Sequence, residues 1–269
     1  FTTSTHNYMI FFTNKGKCYR LKVYDIPEAG RQAKGTAIIN LLNITGDEKI
    51  TTVIPLESFK EDLYLMAATR MGVVKKTPLA EYDTSRRDGI IAINLEENDE
   101  LIGVQLTDGK QDVILVTAGG QSIRFAEEEA RPMARATKGV RGIKLMDDDF
   151  VVGMEVVRQE GDLLVITANG YGKRTPLTEY RQQARGGKGV FTVRPSARNG
   201  EIVGALVVQE NEEIMAISRE GIIIRIKVND ISSMGRTTQG VTIMKVADSD
   251  TVVSITRVVD HDKEQRLFE

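Results

Sequence analysis

The sequence predicts an all-β fold of the propeller type, built from five repeats of about 50 residues with about four strands each. Three observations predict it. A glycine closes each repeat at spacings of 54, 50, 50 and 51 residues, namely Gly35, Gly89, Gly139, Gly189 and Gly240. Another glycine opens each repeat, 19 residues earlier in four repeats and 17 in the second, namely Gly16, Gly72, Gly120, Gly170 and Gly221. A short apolar run, rich in β-branched residues, flanks these opening glycines on both sides.

The apolar runs around each opening glycine predict a β-hairpin. In the third repeat, Val113–Thr117 and Ser122–Phe125 flank a glycine turn of the kind that joins two antiparallel strands. After the closing glycine, the alternating run Val140–Leu145 and the apolar run Val151–Val157 predict two further strands. No helical period of useful length occurs, and the nearest segment, Glu127–Glu129, is as well explained by a loop.

Length and composition agree with a single folded domain. A chain of 269 residues with 41% apolar content can bury a sizeable core, and we expect residues 1–260 to form one domain of about five to six blades, with 261–269 as a tail. Because Phe1 opens directly on a predicted strand, we expect a truncated N-terminus. One cysteine, no signal-peptide pattern and no apolar run approaching ~20 residues predict a reducing, cytoplasmic compartment.

Charge separates along each repeat, although the formal net charge is only −2. The segments from opening to closing glycine hold 21 Lys and Arg against 10 Asp and Glu, whereas the rest of the chain holds 15 against 28. Because equivalent positions of propeller repeats lie on the same part of the fold, this predicts a basic belt that follows a phosphate backbone with salt-sensitive affinity. The alternative is that the repeats carry solvated charges without function.

The candidate DNA contacts are the basic residues of these segments. The side chain four residues after every opening glycine is basic, and four residues before the closing glycine four repeats carry arginine. Contact with phosphates implies little sequence specificity. The candidates are Lys17, Arg20, Arg31, Lys34, Lys75, Lys76, Arg86, Arg87, Arg124, Arg135, Lys138, Lys173, Arg174, Arg185, Lys188, Arg225, Lys227 and Arg236.

Three glycines complete the set of candidates. Gly186, Gly187 and Gly189 lie beside Arg185 and Lys188, and a residue without a Cβ lets a phosphate approach the backbone. The alternative is a turn that requires positive φ. Two tyrosines, Tyr82 and Tyr180, occupy matching positions in the second and fourth repeats. For both we favour packing between blades, with the hydroxyl at the surface, over contact with DNA.

The sequence shows no catalytic constellation. Only two histidines occur, His6 and His261 near the ends, which excludes most His-based acid–base chemistry and any His-rich metal site. Calcium at Asp147–Asp149 is conceivable, but a solvated turn is favoured. We expect no catalytic residue, no metal and no cofactor in this chain.

One heptapeptide carries a family resemblance. Gln183–Gly189, Q-A-R-G-G-K-G, closely resembles the gyrase box, the Q-(R/K)-R-G-G-K-G motif of the bacterial DNA gyrase A subunit. Gly170–Pro176, Lys138–Leu145 and Arg236–Gly240 resemble later blades of that subunit's C-terminal domain, and the likeness extends to about Asp260. It implies a β-pinwheel, a propeller-like ring, usually of six blades, in which neighbouring repeats exchange strands.

The resemblance also implies a function. The domain would bind duplex DNA and wrap it around a basic rim, so that gyrase introduces negative supercoils. The partners implied are duplex DNA, the B subunit of gyrase, and the rest of the A subunit, in an A2B2 holoenzyme. The cleaving tyrosine and the ATPase belong to other parts of that enzyme.

Two features depart from the family pattern. The family's box lies in the first blade, whereas the box-like motif here is in the fourth repeat, and its second position is Ala184 rather than a basic residue. Incomplete wrapping and a ring that lacks a blade are therefore open alternatives. Two other functions also stay open: the C-terminal domain of a topoisomerase IV A subunit that binds and bends DNA, and a propeller that serves as a protein-interaction scaffold with little salt dependence.

Overall fold

A computed structural model describes residues 3–84, 86, 88–158 and 160–258. These residues form antiparallel β-sheets joined by single 3-10 turns, which confirms the all-β prediction. The strands are β1 (Tyr8–Thr13), β2 (Lys17–Lys22), β3 (Ile50–Leu56), β4 (Tyr64–Thr69), β5 (Val73–Pro78), β6 (Ile90–Ile91), β7 (Leu101–Thr107), β8 (Asp112–Thr117), β9 (Gln121–Ala126), β10 (Val140–Arg141), β11 (Val151–Val157), β12 (Asp162–Thr167), β13 (Tyr171–Pro176), β14 (Val190–Phe191), β15 (Ile202–Val208), β16 (Glu213–Ser218), β17 (Ile223–Lys227), β18 (Val241–Thr242) and β19 (Val252–Val258). The 3-10 turns are Val23–Asp25, Ile38–Asn40, Leu79–Tyr82, Glu127–Glu129, Leu177–Glu179 and Val228–Asp230.

The chain divides into two compact units. One unit contains residues 3–110 and 130–140, and the other contains 111–129 and 141–258. That residues 1–260 form a single domain stays a prediction, and the predicted tail at 261–269 lies outside the described residues.

Every repeat begins with the predicted hairpin. In the fourth repeat, β12 and β13 pair from Asp162 opposite Pro176 to Ile166 opposite Gly172. The turn between them contains Gly170 at a φ of +77°, a conformation that favours glycine. A third strand, β15, pairs with the other side of β12. The same three-stranded arrangement recurs in the other four repeats.

The fourth strand of a sheet comes from the next repeat. The two-residue strands β6, β14 and β18, which directly follow closing glycines, pair with β2, β9 and β13 of the preceding repeats. Strand β10 joins the sheet of β5 in the same way. This confirms the strand exchange that the resemblance implied.

The last sheet departs from the prediction of four strands in every blade. It contains only β17, β16 and β19, because no further repeat among the described residues follows to donate a strand. The first repeat differs in another way: between Gly35 and β3 the chain forms the 3-10 turn Ile38–Asn40, where the other repeats have a two-residue exchanged strand.

Alternating strand faces bury an apolar core within each unit. Tyr82, packed near Phe12 and Leu79, is 3% exposed. Tyr180, packed with Leu177, is 2% exposed, and its hydroxyl is hydrogen-bonded to Thr192. The predicted packing role of both tyrosines is confirmed, since side chains this deeply buried offer no surface to DNA. The prediction that the hydroxyl lies at the surface is wrong, because the Tyr180 hydroxyl is buried against Thr192.

Candidate nucleic-acid interface

The arginines four residues after the opening glycines form ion pairs with carboxylates. Arg124 donates to Asp112 and Arg174 to Asp162, both at 2.7 Å, and in each pair the acid starts the first strand of the same hairpin. Such pairing neutralises the guanidinium groups and holds the ends of the hairpin together. The same position in the other repeats is also occupied within the protein. Arg20 is paired with Asp83, Arg225 with Glu213, and Lys76 lies over the ring of Tyr64.

Two predicted contacts, Lys75 and Lys173, lie inside the protein and not on a surface. They are 1% and 0% exposed, and their ammonium groups bind oxygens of the loop that closes the following repeat. Lys173 donates to the carbonyls of Gly235 at 2.6 Å and Arg236 at 2.5 Å. Burial lowers the pKa of each lysine to about 8, so both still carry a proton at neutral pH. Since their donors are used internally, they are not part of the candidate surface.

Three closing loops share one geometry; we define them as residues 130–139, 180–189 and 231–240. Each lies over the preceding hairpin, because a main-chain amide of the loop donates to the carbonyl of the basic residue four positions after the opening glycine. The donors and acceptors are Met133 and Lys76, Gln183 and Arg124, and Met234 and Arg174.

In all three loops, the arginine four residues before the closing glycine links the loop to the preceding blade by a hydrogen bond. Its guanidinium donates to the carbonyl of the second residue of the exchanged strand in the preceding blade, and the side chain is half-buried. The bonds are Arg135 to Ile91 at 3.0 Å, Arg185 to Arg141 at 2.8 Å, and Arg236 to Phe191 at 3.4 Å. These predicted DNA contacts therefore have a structural role. That role explains the recurrence of arginine at this position as well as contact with DNA does.

The box-like segment Gln183–Gly189, hereafter the box loop, is fixed on both sides. Gly186 donates to the carbonyl of Gly142 at 2.7 Å, and Lys144 donates its amide to Gly187 at 2.8 Å. The Arg185 amide donates to the Glu129 carboxylate at 2.9 Å. Gly186 has a φ of +80°, so the turn does need a left-handed residue, as the alternative reading of this glycine proposed.

Exposed basic side chains surround the box loop. Lys188 belongs to the loop, and Arg141 and Lys144 lie on the segment to which the loop is hydrogen-bonded. Among the described residues, none of the three side chains has a hydrogen bond or ion pair with the protein. The prediction missed Arg141 and Lys144. The alternating run Val140–Leu145 contained a signal for them, because a basic residue beside each of the buried residues Gly142 and Ile143 is expected to face solvent.

The remaining candidates occupy varied settings. Arg31, Lys34, Arg86 and Lys227 are exposed, and Arg87 lies outside the described residues. Lys138 pairs with Glu96 at 2.6 Å, but both side chains are about two-thirds exposed, and such a pair competes weakly with phosphate.

Lys17 is held in the first repeat by Glu48. It donates to the Glu48 carboxylate at 2.7 Å, and the Tyr19 hydroxyl donates to the same group. Burial raises the pKa of Glu48, but hydrogen bonds from Lys17, Thr45 and Tyr19 outweigh it and bring the pKa down to about 2.

The acidic turns contain one structural carboxylate each in three repeats. Asp99, Asp149 and Asp250 accept main-chain N–H groups of the opening hairpin turn, at Met71, Gly119 and Glu220. The expectation of a solvated turn at Asp147–Asp149 is wrong for Asp149, because a hairpin amide needs an acceptor there. Within the described ranges, no group of three His, Cys, Asp or Glu could hold a metal ion, and no helix is long and apolar enough to cross a membrane.

The repeats match a known family. The family described as "DNA gyrase C-terminal domain, beta-propeller" matches residues 7–57, 63–108, 111–158, 161–209 and 212–258, one segment for each repeat. This chain belongs to that family. The gyrase C-terminal-domain family therefore accounts for nearly the whole chain, including the box loop.

Longer relatives are named for the same enzyme. The DNA gyrase A subunit of Halalkalibacterium halodurans is 57% identical over 264 residues, and that of Clostridium acetobutylicum is 48% identical over 265 residues. Both alignments cover 98% of this chain but only 32% of the relative, so the chain spans about a third of their length.

Solved structures of the family superpose closely. The C-terminal domain of DNA topoisomerase IV matches with a TM-score of 0.90 at 31% identity, covering 99% of this chain and 83% of that one. The DNA gyrase A C-terminal domain matches with a TM-score of 0.83 at 26% identity, covering 96% and 84%.

Proposed function

We propose that this chain is a non-catalytic domain that binds duplex DNA through phosphate contacts and bends it around its basic side. The observation that carries the proposal is the basic group around the box loop, Arg141, Lys144 and Lys188. These side chains are exposed and have no acidic partner among the described residues, whereas Arg124 and Arg174 are paired with Asp112 and Asp162. A phosphate backbone attracts cations that have no acidic partner, such as these on and beside the box loop.

Main-chain donors support the same site. The amides of Gly187 and Lys188 have no protein acceptor among the described residues. A Cβ added to Gly187 would meet only ordinary contacts, at 3.5 Å from the Ala184 oxygen and 3.6 Å from Ile123. Packing therefore does not require glycine at this position. This favours a role for Gly187 in letting a phosphate approach the backbone.

Membership of the family extends the proposal to a larger enzyme. We propose that the domain works within a DNA gyrase, together with B subunits and the rest of an A subunit, where DNA wrapped on it is supercoiled by the ATP-dependent reaction of those other parts. Bending DNA costs energy that depends on sequence, so flexible sites would be preferred although no base is read directly.

A salt series with matched variants tests DNA binding. Each neutralised phosphate contact should lower the slope of log K against log salt by about 0.9, so R141Q/K144Q/K188Q should lower it by about 2–3. The control K15Q/K49Q/K110Q removes three exposed lysines outside the closing loops and should leave the slope nearly unchanged. Equal effects of both triples would contradict the assignment of the site.

A topological assay tests bending and wrapping. Relaxed circular DNA is incubated with the chain, treated with a nicking-closing topoisomerase and freed of protein. A linking-number change that fades with salt supports wrapping, and retardation of linear duplex without such a change supports binding alone. If neither occurs, the DNA function fails and the protein-scaffold alternative replaces it.

A further inference from the structure

Buried lysines hold two of the three closing loops. Lys75 donates to the carbonyls of Arg135 and Thr137 in the third repeat, and Lys173 donates to Gly235 and Arg236 in the fifth. Both loops then close on themselves through a threonine two residues before the closing glycine. Thr137 donates its amide to Arg135 at 2.9 Å, and the Thr238 amide donates to Gly235 at 3.3 Å.

The box loop lies over a different residue. The position three residues after the opening glycine, where Lys75 and Lys173 stand, is Ile123 in the third repeat, and no ammonium is available there beneath the loop. Here Gly186 takes a positive φ and donates its own amide to Gly142. The equivalent carbonyl in the preceding blade, that of Ala92, instead receives its hydrogen bond from Lys75 at 2.6 Å.

The two arrangements answer the same requirement, since a buried carbonyl needs a donor whether that donor is an ammonium or a main-chain N–H. We propose that the buried lysine and the glycine pair are interchangeable devices, and that Lys75 and Lys173 are positioning residues for the closing loops of the DNA surface. The proposal rests on the proposed function for its consequence in DNA binding, and on loop geometry for the rest.

The device decides what a loop offers to DNA. In the lysine-held loops, the amides of Thr137 and Thr238 are used within the loop. In the box loop, the amide of Gly187 at the same position has no protein acceptor among the described residues. At this position the box loop therefore offers a main-chain donor to phosphate that the other two loops use internally.

A double-mutant cycle in the third repeat tests the interchange, because Lys75 binds the Ala92 carbonyl there. The variants are K75I, which copies Ile123, A136G/T137G, which copies the glycine pair, and their combination. K75I should lower the unfolding midpoint by about 5 °C or more, and the glycine pair alone should lower it by a few degrees. In the K75I background the same glycines should raise the midpoint. If K75I alone does not fold, folding of the triple variant is the expected rescue.

The sign reversal is the readout that a merely structural lysine would not produce. An equal cost of the glycines in both backgrounds, or failure of both K75I and the triple variant to fold, would overturn the proposal. As a control, T237G/T238G above intact Lys173 should be destabilising, like A136G/T137G.

DNA binding is measured on the same proteins. K75I should bind DNA about fivefold more weakly, and the triple variant should recover wild-type affinity. If the wild-type chain does not bind DNA, the proposed function fails, but the stability cycle still decides whether the two devices are interchangeable.

Discussion

The closing segments of the first and fourth repeats have similar sequences and different surroundings. Both contain an arginine four residues before the closing glycine and a lysine immediately before that glycine. In the fourth repeat the arginine binds Glu129 and Arg141, and Gly189 lies against the Ser122 carbonyl. In the first repeat Arg31 and Lys34 are exposed, and a Cβ on Gly35 would meet nothing within 4 Å.

The difference indicates that contacts with a preceding hairpin, and not the motif itself, hold a closing loop in place. Gly35 and Gly189 have nearly the same φ, at +72° and +75°, so the local turn is the same. What the fourth repeat adds is a hairpin with main-chain acceptors for the loop. Four predictions test this comparison, beginning with the largest expected effect.

Replacing each closing glycine by alanine should give the largest difference in unfolding free energy between the two segments. G35A carries only the left-handed backbone cost, about 1–2 kcal/mol. G189A adds a clash of its Cβ with the Ser122 carbonyl and should cost about 3 kcal/mol or more. Urea unfolding of both variants measures the two costs, and equal values would show that the hairpin does not constrain the loop.

Replacing the arginines should also cost more unfolding free energy in the fourth repeat than in the first. R185A loses hydrogen bonds to the carbonyls of Glu129 and Arg141 and should cost about 1–3 kcal/mol of unfolding free energy. R31A should stay within about 0.5 kcal/mol, because the exposed Arg31 makes no such bond among the described residues. R185K, which keeps the charge but not the planar fork, should lose most of the same stability. Full stability of R185K would mean that charge alone matters.

Acid should affect the first repeat more than the fourth. The pKa of Glu48 is lowered to about 2, so its contribution to stability is present above the ordinary carboxyl pKa and is lost as pH falls from about 5 to 2. The fourth repeat has Asn199 at the corresponding turn, which does not titrate. Hydrogen exchange at pH 3 and pH 6 should show loss of protection around Tyr19, and E48Q should remove that pH difference. An equal loss around Asn199 would contradict the assignment.

The smallest effect concerns DNA alone. G187A should weaken DNA binding by about fivefold, roughly 1 kcal/mol, while leaving the unfolding free energy within about 0.5 kcal/mol. The reverse change at the matching first-repeat position, A33G, should leave affinity unchanged. Undiminished binding by G187A would remove the main-chain contact from the proposal.

Much of the fold could be predicted from the sequence, because its signals are local. The opening glycines, the β-branched runs and the period of about 50 residues act within a few residues of each other, and the hairpins follow from them. The packing role of Tyr82 and Tyr180 was predicted from their recurrence at one position of the repeat, but the burial of the Tyr180 hydroxyl was not.

The site was predicted less well, because a basic side chain looks the same in sequence whether it faces solvent or a carbonyl. Lys173 and Lys188 both flank glycines in basic segments, yet the first is buried against Gly235 and the second is exposed. That distinction depends on residues about 60 positions away, which no local pattern contains.

By itself, then, the sequence determined the repeat and the hairpin that opens it, which follow from short-range spacing, and the family, which follows from the resemblance of Gln183–Gly189 to a known motif. Only the tertiary structure decided which cations are neutralised, which loops are ordered and which amides stay available. Those outcomes depend on strand exchange between repeats, where the donors and acceptors of one repeat are satisfied by the next.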